Sequence, residues 1–154
     1  MEIANQIDGL KKGRALMLKV IEGYTLEQIN TIPQGFNNNI GWNIAHLVVT
    51  PYLLCYKMSG LLLPISDEMV NRYRKGTAPN GHVINAEEWQ QILDLFVSFA
   101  DELAADYQKG IFENYTEYTT SVGVCLNNVE RAIDFNTFHE GIHLGAILAL
   151  RKLV

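Results

Sequence analysis

The residues His139-Glu140-Gly141-Ile142-His143 place two imidazoles four apart in a segment with helical patterning. On a helix, side chains at i and i+4 stand one above the other with Cβ atoms about 5–6 Å apart, so two neutral ring nitrogens can converge on one divalent ion at roughly 2.0–2.1 Å each. A third donor would turn this spacing into a site. His46 can supply it, because it falls on the core-facing stripe of another helical segment, as His139 and His143 do on theirs. An inward imidazole is costly unless its nitrogens find partners, and a metal would satisfy all three rings at once. The competing reading is a metal-free polar core in which each ring bonds separately to its neighbours and specifies packing. His82, beside Gly81, reads as a surface loop residue.

The same five residues match the H-E-x-x-H pattern of zinc proteases, with Glu140 as general base. Those enzymes usually take their third ligand downstream, yet only eleven residues follow His143 and none is His, Asp or Glu. A protease also needs an extended edge to hold its peptide, and this chain predicts almost no sheet. Glu140 lies about 100° around the helix from His139. That position predicts a carboxylate facing solvent or supporting a ligand ring, and Glu140 is the one candidate for an added acid–base role. Asn43, one turn before His46, is a candidate partner for a ligand ring.

Four helical segments must position these residues. The first runs from Ile3 to Gly23, with Ile3, Ile7, Leu10, Met17 and Ile21 on one stripe, and is followed by a turn in which Thr25 and Gln28 have capping-box spacing. The second runs from Asn39 to Ser59 with Trp42, His46, Val49, Leu53 and Tyr56 inward, and Pro51 should kink it. The third opens at Asn85 and turns Trp89, Ile92, Phe96, Phe99, Leu103 and Tyr107 inward. The fourth opens at Asn127-Asn128 and runs to Leu150, with Ala132, Phe135, His139, His143, Ala146 and Leu150 as its inner stripe. Four helices near 20 residues, about 30 Å long, bury four stripes most simply as an all-α four-helix bundle. The stretch from Gly60 to Ile84, with a short helix near Ser66 to Tyr73, makes a long connection between the second and third helices, and Gly110 to Leu126 reads as extended. Loops this long often shape a binding site.

Composition narrows the function. A chain of 154 residues is most simply one domain, spanning 1–154, with roughly 68–70% of its unfolded surface buried. The formal charge of −5 and pI near 5.3 argue against nucleic-acid and anionic-membrane surfaces. Lys11, Lys12 and Arg14 form the nearest approach to a basic cluster and read as a solvated helix face. Cys55 and Cys125 read as two buried, reduced thiols, which predicts an intracellular, cytoplasmic protein. The start, Met1-Glu2-Ile3-Ala4-Asn5, lacks the pattern of a secretory signal, and no apolar stretch reaches the roughly 18 residues of a membrane span.

The segment Gly41-Trp42-Asn43-Ile44-Ala45-His46-Leu47, followed by Phe138-His139-Glu140-Gly141-Ile142-His143-Leu144-Gly145, resembles the DinB-like (YfiT-like) four-helix bundle metalloproteins, a damage-inducible family distinct from the polymerase of the same name. The resemblance covers essentially the whole chain. It implies a divalent metal held by His46, His139 and His143, with water or substrate completing the shell. Relatives include thiol S-transferases and isomerases that use bacillithiol or mycothiol, so a low-molecular-weight thiol is the implied partner; family members often form homodimers. Three imidazoles are compatible with zinc, nickel, iron and manganese, with zinc or nickel the first expectation. A metalloenzyme would use the ion to lower the pKa of a bound thiol or water. The alternative is a non-catalytic stress-response protein in which the metal ties helices together and a pocket holds a ligand. Pro51 just after His46, and the lack of an obvious thiol-recognition motif, leave the substrate open.

Overall fold

Short polar side chains set the helix starts. Thr25, Asn39, Ser66, Asn85 and Asn128 each accept a hydrogen bond from a backbone N–H in the first turn of the helix that follows, satisfying a donor that has no partner within that helix. In the computed structural model, which describes residues 3–154, the elements are α1 (Ile3–Val20), α2 (Leu26–Asn30), α3 (Ile40–Pro51), a π-helical segment (Tyr52–Lys57), α4 (Asp67–Tyr73), α5 (Ala86–Gln108) and α6 (Val129–Leu150). Met1 and Glu2, which carry part of the reading of the N-terminus, lie outside the described residues. The stretch read as extended is mostly irregular and holds one antiparallel pair of two-residue strands, β1 (Tyr118–Thr119) and β2 (Cys125–Leu126), with Tyr118 opposite Leu126. The remaining regular structure among the described residues is helical, and no helix of the described residues is long and apolar enough to cross a membrane.

Both α1 and α3 pack against α5 and α6, so the long helices enclose one core. Ile7, Leu10 and Met17 of α1, Ile92, Phe96, Phe99 and Leu103 of α5, and Ile133, Ile147 and Leu150 of α6 meet there. Each such side chain contributes about 1.5–3 kcal/mol relative to leaving it exposed. Helix α3 runs through the middle, and every residue from Ile40 to Val49 is buried. At its start Gly41 has room for no side chain, because a Cβ there would lie 2.7 Å from Ile84 Cδ1 and 2.8 Å from Ile29 Cγ2.

Pro51 changes the bonding of the second helix. It has no N–H to give the Leu47 carbonyl four residues back, and the helix continues beyond it with π-type bonding, as in Met58 N–H to Leu53 O. The wider turn changes the register. Tyr52, Leu54, Cys55 and Tyr56 are buried there, and Leu53, expected on the inner stripe, is half-buried.

Three further expectations are corrected. Arg14 belongs to the core and not to a solvated face: it is 2% exposed, while Lys11 and Lys12 pair with Asp101 and Asp8 at the surface. Cys125 is exposed because the pleat that buries Leu126 turns its neighbour outward, whereas Cys55 is buried; both thiols are free. The buried stripe of α6 is Val129, Ala132, Ile133, Asn136, Glu140, Ile147 and Leu150, and the histidines sit half-buried on the adjoining face.

Candidate metal centre

Asparagine builds the approach to the site. Asn39 caps α3 by accepting from Trp42 N–H at 2.7 Å while its amide donates to the Asn30 carbonyl at 2.8 Å, which anchors the first turn of α3 to α2. One turn further, Asn43 donates through Nδ2 to the Asn39 carbonyl at 2.7 Å and to Asn38 Oδ1 at 3.2 Å, so its own Oδ1 is committed as an acceptor. His143 Nδ1 lies 2.7 Å from that oxygen and must be the protonated nitrogen of its ring. His46 Nδ1 lies 2.7 Å from the Tyr73 carbonyl and is protonated by the same logic. In both rings Nε2 is left with a lone pair.

Those lone pairs meet. His46 Nε2 is 3.3 Å and His143 Nε2 is 3.2 Å from His139 Nε2, and the three donor atoms all lie within 4.8 Å of one another. Tetrahedral ligands at roughly 2.0–2.1 Å from an ion stand about 3.3–3.4 Å apart, so the two separations from His139 match such ligands, and three neutral imidazoles suit a divalent metal in chemistry. His139 Nδ1 is buried without a protein partner. Stacking holds the rings in place: Trp42 lies on His46 at 4.7 Å with planes 12° apart, and Phe135 lies on His139 at 6.0 Å with planes 18° apart. Trp42 is tied in turn through Nε1 to Thr77 Oγ1 at 3.2 Å.

Burial is the main reason these rings resist protonation. It lowers His46 despite the Tyr73 hydrogen bond, and with the nearby His46 ring it pushes His139 down to about 4. His143 falls to about 3, first from burial and then from repulsion by His139 and His46. Neutral imidazoles are the form that binds metal.

The cluster opens into a cavity of about 510 Å³ walled by Trp42, Leu53, Leu54, Met58 and Phe135, with Asn38, Thr50, Tyr118, Thr120 and Ser121 among its uncharged polar groups. A family model of the DinB superfamily matches residues 10–147. The chain belongs to the DinB superfamily. No curated protein matches it.

The remaining candidates of this DinB chain divide sharply. Asn43 is buried and holds His143, as described. Glu140 does not face solvent: it is 4% exposed and points into the core, where Arg14 Nη2 and Nε donate to its Oε1 at 2.7 and 2.9 Å. It does not line the cavity. Burial raises its carboxyl above the usual range while Arg14 draws it back. His82, partly buried, bonds Glu88 Oε2 at 2.8 Å, away from the cluster.

Arg14 is the residue that sequence reasoning missed. Beyond Glu140 on α6 it donates to the Phe96 carbonyl of α5 at 2.8 Å and to the Leu47 carbonyl of α3 at 2.9 Å, the oxygen that Pro51 leaves free. Its guanidinium lies 4.5 and 4.8 Å from the ring centroids of Phe96 and Phe99. A signal existed: Arg14 falls in step with Ile7, Leu10, Met17 and Ile21, where a charge is buried unless it is paired. Tyr73 left none, since its part in the site is played by a backbone carbonyl.

Proposed function

We propose that the chain is a divalent-metal-dependent enzyme whose ion is held by His46, His139 and His143, and that it acts on a small molecule in thiol S-transfer or a related hydrolysis or isomerisation. The observation that carries this reading is the convergence of three Nε2 lone pairs, two of them set by Nδ1–H bonds to oxygen, at the end of a cavity. Bound there, a divalent ion would act as a Lewis acid and lower the pKa of a thiol or water brought to it. The chain's own residues do the rest. Asn43 and the Tyr73 carbonyl hold two rings in the binding tautomer, and Trp42 and Phe135 shield ring faces from water. Thr50 Oγ1 donates to His46 Nε2 at 3.1 Å, and an ion taking that lone pair would free the hydroxyl to hydrogen-bond a group arriving beside the histidines.

The same reading takes α1, α3 with its π-helical continuation, α5 and α6 as the four-helix bundle of the superfamily, with residues 58–85 as the long connection. Support comes from α1 and α3 each packing against both α5 and α6. A homodimer is part of the proposal, supported by exposed Phe138, Ile142 and Leu148 beside Gly141 and Gly145 on α6. Zinc or nickel is the proposed ion.

Metal content of protein purified without an affinity tag, measured beside a His143→Ala variant, tests the centre. Near-stoichiometric metal that disappears in the variant sustains it and directs the next assay to thiol transfer onto electrophiles. No metal in either protein, even after incubation with zinc, nickel or manganese, overturns it. A cobalt-substituted form without an exchangeable ligand would favour the non-catalytic alternative.

A further inference from the structure

The cavity differs in charge from the rest of the molecule. The chain carries 17 acidic against 12 basic residues, and each of four other surface clefts is lined by at least one carboxylate, among them Glu87 and Glu88, Glu102 and Asp106, Asp94, and Glu68. The cavity beside the histidines is lined by no Asp or Glu and by two lysines, Lys57 and Lys75. Both are exposed, and among the described residues neither forms an ion pair, a state they share with Lys19 and Lys152, whereas Lys11, Lys12 and Lys109 are paired.

The placement of each lysine follows from the backbone that builds the site. Lys57 ends the π-helical segment beyond Pro51, whose register lines the cavity with Leu53, Leu54 and Lys57 together. Lys75 follows Tyr73 by two residues, so the segment whose carbonyl orients His46 also brings a cation to the cavity. Apolar walls weaken the screening of such charges and favour a ligand of opposite sign.

We propose that this cavity admits a small amphipathic anion, its acid group held by Lys57 and Lys75 and its apolar part laid over Leu53, Met58 and Phe135 toward the histidines. The proposal rests on reading this cavity as the substrate site, and it specifies the class of substrate as one carrying a carboxylate, phosphate or sulfonate. It requires no bond to form or break and no metal to be present.

Trp42 lines the cavity and stacks on His46, so its fluorescence reports an occupant. Metal-stripped protein titrated with octanoate, octanamide and octylammonium should bind octanoate about fivefold tighter than octanamide, with octylammonium the weakest, and added salt should shrink the preference. The preference should vanish in a Lys57→Gln/Lys75→Gln variant and turn toward octylammonium in Lys57→Glu/Lys75→Glu. It should persist in His143→Ala. Equal binding of octanoate and octanamide to the unaltered protein would overturn the proposal. So would a preference that survives both lysine variants and disappears in His143→Ala, since the acid group would then sit on the histidines. Because these titrations use protein without metal, failure to bind metal leaves their outcome intact, and an anion-indifferent cavity leaves the metal centre standing.

Discussion

His139 and Glu140 are neighbours in the chain and belong to different polar clusters, one opening to a cavity and one sealed in the core. At the Arg14–Glu140 pair the guanidinium is closely held: it donates two hydrogen bonds to a carboxylate and one to each of two backbone carbonyls, and lies against two phenylalanine rings. At the histidines the polarity is left open, with the Nδ1 atoms of His46 and His143 anchored and the three Nε2 atoms turned toward one another. Helical geometry makes the separation possible, since a step of one residue turns a side chain by about 100° and a step of four nearly restores it. Glu140 ties α6 to α1 through Arg14, whereas the histidines present donor atoms at the cavity.

The comparison is broken most directly at Arg14. Arg14→Met leaves Glu140 buried without its partner, and the expected cost is about 3–5 kcal/mol in denaturant unfolding. An Arg14→Met/Glu140→Leu double variant should recover most of that loss, because no uncompensated charge remains. Little recovery would mean that the Phe96 and Leu47 carbonyls, and not the ion pair, carry the effect.

A smaller effect should appear at the other cluster. Asn43→Ala removes the acceptor that fixes the His143 tautomer, and metal affinity measured by competition with a chelator should fall about 10–100-fold. An unchanged affinity would remove Asn43 from the centre.

Glu140→Gln sharpens the distinction further. It keeps the shape and removes the charge, so stability should fall by about 1–3 kcal/mol while metal content stays at the unaltered level. Loss of metal with full stability would return Glu140 to the site.

The two clusters should also differ in the response of the metal-free protein to acid. His139 and His143 are depressed to about 4 and 3, below the ordinary value of 6.5, so the unfolded chain takes up protons first as pH falls. Their contribution to stability is therefore full above about pH 6.5 and declines toward pH 3. Thermal unfolding across that range should show a shallower decline in His143→Ala, and identical slopes would count against the burial of these rings.

Much of this was legible along the chain because it rests on local periodicity. The i, i+4 spacing of His139 and His143, the helical steps that put His46 inward, and the caps at Asn85 and Asn128 follow from 3.6 residues per turn and from backbone donors that need partners. The all-α class and membership of the DinB superfamily could be read from the same patterns. Periodicity also placed Arg14 on an apolar stripe, yet without knowing what faced it the charge read as solvated.

Partnership across the chain had to wait for the fold. Arg14 meets Glu140 across 126 residues, and the carbonyl freed by Pro51 finds its donor on α1. Tyr73 and Asn43 set the histidine tautomers, and Lys57 and Lys75 share a cavity although no pattern links them in sequence. The reason is physical. Spacing along one helix determines which residues share a face, whereas the identity of the groups that face it depends on the packing of every other element, which local propensity does not encode.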